Sequence, residues 1–176
     1  MVDENDHSDT PESREPTVAD LRDLCRQLND RQARYIVVGG FAMAALGYNR
    51  RTMDIDLLVD TRGDNEARVL AAVATLPDGA ARQISPGEIA QWIVVRVADE
   101  IVVDLMHSAC GIDYAQAGQS VRSIDVEGVS IPFASAELLW RTKKPTHREK
   151  DAPDLLFLRE WFQARGLNPP GLLPFD

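Results

Sequence analysis

The stretch Thr52-Met53-Asp54-Ile55-Asp56-Leu57-Leu58-Val59-Asp60 constrains this chain more than any other. Its apolar residues read as a buried β-strand, yet two aspartates sit inside it. Alternate side chains of a strand share a face, so Thr52, Asp54 and Asp56 are expected to project one way, with Met53, Ile55 and Leu57 packing into the other. Burying ionised carboxylates is costly unless a cation or a basic group compensates them. A fold that accepts this strand must therefore bring positive charge to its acidic face. A lone D-x-D also occurs at solvated strand ends, so the pair needs support from elsewhere.

That support comes from Asp104, which interrupts a second apolar run, Ile101-Val102-Val103-Asp104-Leu105-Met106-His107. If the two strands are neighbours, three carboxylates converge, and such a trio suits a hard divalent cation together with phosphate oxygens. Asp104 would then be a metal ligand and a proton acceptor. The plainer alternative is an acid at the mouth of a hairpin. Upstream, Gly39-Gly40 closes one strand and opens a helix, where missing side chains let an anion approach the backbone.

The remaining elements follow from periodicity and caps. Thr17 is expected to cap a first helix through Asp30, with Val18, Leu21, Leu24, Cys25 and Leu28 on one face. A strand ending at Val38, a compact helix that starts at Phe41 and ends at Gly47, the acidic strand and an amphipathic helix over 63–76 come next. Residues 91–97 and 101–107 are expected to pair as an antiparallel hairpin. Two further strands should turn at Glu127 and Gly128, with Pro132 marking an edge or an end. Ser135 should cap a helix, and a last helix should carry Leu155, Leu158, Trp161 and Phe162 inward and stop at Gly166. The layout is α+β, a mixed β-sheet flanked by helices with a helical C-terminal part. The expected division is a disordered acidic tail over 1–16, a core over 17–134 and C-terminal helices over 135–176.

The tail assignment rests on charge. Residues 1–16 hold six carboxylates against Arg14, a net of −5 out of −9 for all 176 residues. So little apolar content cannot offset the ordering entropy. An acidic protein is a poor host for a long polyanion, but a metal-chelated nucleotide is compatible with it. No apolar run is long enough to cross a bilayer, and the N-terminus lacks the layout of a signal peptide, so a soluble cytoplasmic protein is expected. Cys25 and Cys110 have no metal-ligand spacing and read as reduced thiols. His107 and His147 read as surface or half-buried residues, and Trp92, Trp140 and Trp161 as core.

Gly39-Gly40, a short helix, Gly47, then Arg50-x-Thr52-x-Asp54-Ile55-Asp56 and later Asp104 resemble the DNA polymerase β-like nucleotidyltransferase superfamily. More narrowly, the pattern is similar to its small bacterial members, which include abortive-infection toxin enzymes and minimal nucleotidyltransferases. The resemblance spans roughly residues 34–160 and also takes in Lys143, Arg148, Lys150, Asp151 and Asp154, which look like a basic-then-acidic helix start. It implies a nucleotidyltransferase-like fold and Mg2+ held by Asp54, Asp56 and Asp104. It also implies a nucleoside triphosphate contacted at Gly39, Gly40, Arg50, Thr52, Lys143, Arg148 and Lys150. The superfamily often has glycine-serine where this chain has Gly39-Gly40, and Thr52 can supply the missing hydroxyl. Arg50 would face the phosphates or pair with a carboxylate. The cations between Arg141 and Lys150 would bind phosphates or merely complement the end of their own helix. The acceptor implied is a hydroxyl of a small molecule, a protein or a tRNA end. The rival expectation is a non-catalytic relative that binds a nucleotide or a protein, such as one half of a toxin–antitoxin pair.

Overall fold

A computed structural model describes residues 12–144 and 149–171 of the chain. The first helix, α1 (Val18–Asp30), begins at the expected cap. Thr17 accepts from the backbone of Asp20 and the Asp20 carboxylate binds back to Thr17, a reciprocal capping box. Its inner face buries Leu21, Leu24, Cys25 and Leu28, while Val18 stays exposed.

Strand β1 (Tyr35–Val38) leads without a loop into α2 (Gly39–Ala45). The acidic strand β2 (Asp54–Val59) follows, then α3 (Asn65–Val73) and the one-turn helix α4 (Glu88–Gln91). Strands β3 (Val95–Ala98) and β4 (Val102–Met106) form the expected hairpin. A small ribbon of β5 (Ser108–Ala109) and β6 (Ile112–Asp113) leads to α5 (Tyr114–Ala117) and to the second hairpin, β7 (Val121–Val126) and β8 (Val129–Ala134). Helices α6 (Ala136–Lys143) and α7 (Ala152–Gln163) close the chain.

Six strands make one mixed sheet in the order β3-β4-β2-β1-β8-β7. β2 runs antiparallel to β1 and parallel to β4, and β1 runs parallel to β8. Both sides of the centre are covered, since Ile36, Val37, Leu57, Leu58, Val103 and Leu105 are all buried. Helix α1 packs on α3 and β8, and α6 packs on α7 and α2. The fold is the expected α+β arrangement, with its acidic strand near the middle of the sheet.

Several local expectations are corrected. Met53 precedes β2 rather than lying in it and is 54% exposed, so it does not pack beneath Ile55. The run Trp92-Ile93-Val94, read as strand, is an exposed approach to β3, and Trp92 at 60% exposure is no core residue. Apolar composition alone cannot distinguish a buried strand from an uncovered lip. Pro132 lies in β8, an interior strand; it is tolerated because β8 meets β1 only at the Val37–Phe133 register, away from the missing N–H.

The acidic tail is anchored earlier than its composition suggested. Residues 1–11 lie outside the described residues, but Ser13 donates to the carbonyl of Asp99 at 2.6 Å. The Arg14 backbone N–H donates to the Glu100 carbonyl at 2.8 Å, and Pro16 is buried. Arg14 also forks onto Asp20 at 2.8 Å and reaches Glu100 at 2.9 Å. Specific pairing of a lone arginine supplies here what average composition does not register.

Candidate active site

Sheet register builds the site. Val38 on β1 lies opposite Asp56 on β2, Asp56 opposite Asp104 on β4, and Asp104 opposite Arg96 on β3. Residues in one such row point to the same side of a sheet, so two acids and an arginine share a face, with Asp54 two positions along. Carboxylate oxygens of Asp54, Asp56 and Asp104 lie within 4.8 Å of one another. Asp104 is buried and the other two are half-buried. The convergence expected from the sequence is therefore present.

Three like charges at this spacing repel one another. The Asp56 carboxyl is pushed up to about 7, first by burial and then by the charges of Asp54 and Asp104; Lys143 and Arg50 oppose the shift. Arg96 partly neutralises the group. Its guanidinium donates to both oxygens of Asp104, at 2.9 and 2.7 Å, and reaches Asp54 at 3.1 Å. Oxygen-only donors converging with a surplus of negative charge fit a hard cation such as Mg2+.

Gly39 is fixed by this arrangement twice over. Its φ of +62° lies in the left-handed region, and a Cβ placed there would stand 2.7 Å from Cγ of Asp56. A Cβ at Gly40 would stand 2.6 Å from Cβ of Thr52. The Thr52 side chain thus fills the space that a serine at position 40 would need, and its hydroxyl donates to the Asp54 carbonyl at 3.1 Å. With threonine at position 52, position 40 has no room for a side chain.

A cleft of about 600 Å³ opens over the acids. Its lining includes Arg50 and Lys143 as well as the apolar Ile93, Val94 and Met106. Both cations are tied to Asp154 of α7, which is 1% exposed. Arg50 approaches it at 2.9 Å and Lys143 at 2.7 Å, with Lys143 also 3.5 Å from Asp151. Of the two alternatives for Arg50, the structure shows the pairing with a carboxylate, and the residue also lines the cleft. Arg148 and the side chain of Lys150 lie outside the described residues, as does His147. His107 holds the approach to β3, its Nδ1 3.1 Å from the Trp92 carbonyl. Cys110 is exposed and lines the cleft, whereas Cys25 is buried.

Sequence reasoning missed Arg96 and the apolar lining. A signal for Arg96 existed: a hairpin centred on Glu100 puts position 96 opposite position 104. Nothing in the sequence separated Ile93 and Val94 from the buried strand residues that follow them.

No family model and no curated protein matches the chain. Solved structures that resemble it include the following two. A candidate nucleotidyltransferase from Thermotoga maritima aligns at 16% identity with a TM-score of 0.47, over 82% of this chain and 91% of that one. An antigenic nucleotidyltransferase-like protein from Paracoccidioides brasiliensis aligns at 16% identity with a TM-score of 0.51, over 80% of this chain and 72% of that one. The chain has a nucleotidyltransferase-like fold. At such identity the likeness is one of fold, and chemistry has to be argued from the site itself. Among the described residues no helix is long and apolar enough to cross a membrane.

Proposed function

We propose that the chain is a magnesium-dependent nucleotidyltransferase that passes NMP from a nucleoside triphosphate, such as ATP, to an acceptor hydroxyl. The acceptor oxygen forms a bond to the α-phosphorus. The bond between that phosphorus and the oxygen bridging to the β-phosphate breaks, and pyrophosphate leaves with the electron pair. The observation that carries this reading is the meeting of Asp54, Asp56 and Asp104 within 4.8 Å beside a glycine turn in a nucleotidyltransferase-like fold.

Asp54, Asp56 and Asp104 are the residues that would hold Mg2+, which when bound neutralises charge on the phosphates and the reacting oxygens. The protein's own contribution is alignment. Gly39 and Gly40 leave the backbone bare beside the acids, so a triphosphate can approach it closely. Arg50 and Lys143 line the same cleft, held by Asp154, as fixed cations for the β- and γ-phosphates. Arg148 and Lys150 belong to the same phosphate-binding set by resemblance. Thr52 takes over the hydroxyl role of the motif serine, and Asp104 receives the proton of the acceptor hydroxyl.

Candidate acceptors are a small hydroxylated molecule, a protein side chain and a tRNA 3′ end. Kinship with small bacterial toxin-type transferases, and with it a partner antitoxin, rests on the motif alone. The non-catalytic alternative drew on Gly40, and the packing of Thr52 into that space weakens it.

The test is isothermal titration of the four NTPs with and without Mg2+, for wild type and for Asp54→Ala/Asp56→Ala. Magnesium-dependent binding that disappears in the double variant supports the site. Failure of wild type to bind any NTP refutes the nucleotidyltransferase reading and turns the search to protein partners.

A further inference from the structure

One charged side chain at the site has no part in the reading above. Arg96 sits on β3, an edge strand of the sheet, and its side chain is 59% exposed. Its fork nevertheless closes on both oxygens of Asp104 and on one oxygen of Asp54, two of the three carboxylates assigned to the divalent ion. The pair compensates the buried charge of Asp104, but β3 does not depend on it for anchoring. The hairpin already has a four-residue register, from Val95–Leu105 to Ala98–Val102.

Oxygen lone pairs committed to a guanidinium are unavailable, or poorly placed, for a metal. Guanidinium and divalent ion are rival solutions to one problem, the repulsion among clustered carboxylates. The rivals differ in reach. Arg96 contacts Asp104 and Asp54, while Asp56, against Gly39, has no hydrogen bond to it. An ion that bridges all three must loosen the fork on Asp104, both of whose oxygens accept from the guanidinium. The arginine can yield, since its side chain is solvent-exposed and no other hydrogen bond holds its guanidinium among the described residues.

We propose that Arg96 is a built-in counter-cation that competes with the divalent ion for Asp54 and Asp104 and thereby sets the ion concentration at which the site loads. This rests on the metal-binding reading of the site. The arginine keeps the acidic row assembled before the ion arrives, at the expense of affinity. Loading becomes an exchange of one cation for another rather than the filling of a bare acidic hole.

The experiment is Mn2+ titration of the nucleotide-free full chain, followed by calorimetry and by the electron paramagnetic resonance of free Mn2+, for wild type, Arg96→Gln and Arg96→Lys. Circular dichroism and melting of each ion-free variant run alongside. Arg96→Gln is expected to bind Mn2+ about tenfold more tightly, the scale of one charge-assisted pair, while its ion-free form melts lower. Arg96→Lys keeps the charge but loses the fork, and is expected to fall between the two. A purely structural arginine would lower the melting point without tightening Mn2+ binding, and that result overturns the proposal. No Mn2+ binding by any of the three proteins would overturn the metal reading as well, so the two failures are distinguishable.

Discussion

Asp56 lends itself to a quantitative test because its carboxyl is pushed up to about 7 while an unfolded aspartate titrates near 3.8. The native protein therefore binds a proton that the unfolded chain has released across the interval between these values. Stability from this group is complete below the unfolded value and disappears as pH rises through 7. A tenfold difference in proton affinity between the folded and unfolded chain is worth about 1.4 kcal/mol, so the ion-free protein should lose about 2–3 kcal/mol between pH 5 and pH 8 from Asp56 alone. The carboxyls of Asp20, Asp23, Asp60, Asp64 and Asp99 are all shifted downward, and their effects fall below this interval. Urea unfolding with chelator present, at half-unit steps from pH 5 to 8, would be compared between wild type and Asp56→Asn. The difference between the two curves isolates Asp56 and the carboxylates coupled to it, because titrations remote from the acidic row are common to both. Wild type should fall relative to the variant as pH rises, and saturating Mg2+ should flatten the fall by holding the carboxylate ionised. Parallel curves in the absence of Mg2+ would refute the claim that burial and two neighbouring charges act on Asp56.

Two further outcomes follow from the geometry. Gly40→Ser should destabilise the fold by about 1–3 kcal/mol through overpacking against Thr52, and should cost much less in a Thr52→Gly background, which removes the Cβ that the new side chain would meet at 2.6 Å; a double-mutant cycle in urea reads the coupling, and additive effects would show that the two positions do not share space. Asp154→Asn leaves Lys143 and Arg50 with a neutral partner and should cost about 3 kcal/mol, as expected when a buried pair is broken; thermal and denaturant unfolding report the loss, and Mg-dependent NTP affinity should fall further than stability explains if the two cations face the phosphates.

The legible parts of the molecule were those where a residue contradicts its surroundings. Asp54, Asp56 and Asp104 stood out because charges are rare in apolar strands, and Gly39-Gly40 stood out by position. Caps at Thr17 and Ser135 were equally readable, since an N-cap is a local chemical event. What escaped depends on pairing across the sheet. Arg96 looks like an ordinary polar residue on an alternating strand until β3 is laid against β4 in register. Trp92, Ile93 and Val94 carry the composition of a strand, and only the missing neighbour beyond the edge leaves them exposed. The anchoring of Ser13 and Arg14 likewise needs Asp99, Glu100 and Asp20 in place.

The cations around the acidic row fall into two mechanical classes, and this division bears on how such a site can work. Arg50 and Lys143 share the buried carboxylate of Asp154, and leaving it would strand that charge away from water. They are built to stay. Arg96 stands on an edge strand with most of its side chain in solvent, so releasing its carboxylates exposes it to nothing worse than water. It is built to yield. On the proposed reading the site takes up a divalent ion and a polyanion together, then discharges both, which calls for fixed charge to orient the anion and movable charge to make way for the metal. The sheet supplies the movable charge from its edge; Lys143 of α6 and Arg50, ahead of β2, supply the fixed charge, and α7 anchors both through Asp154. That separation also explains why α6 and α7 belong to the site although no acid of the row lies on them.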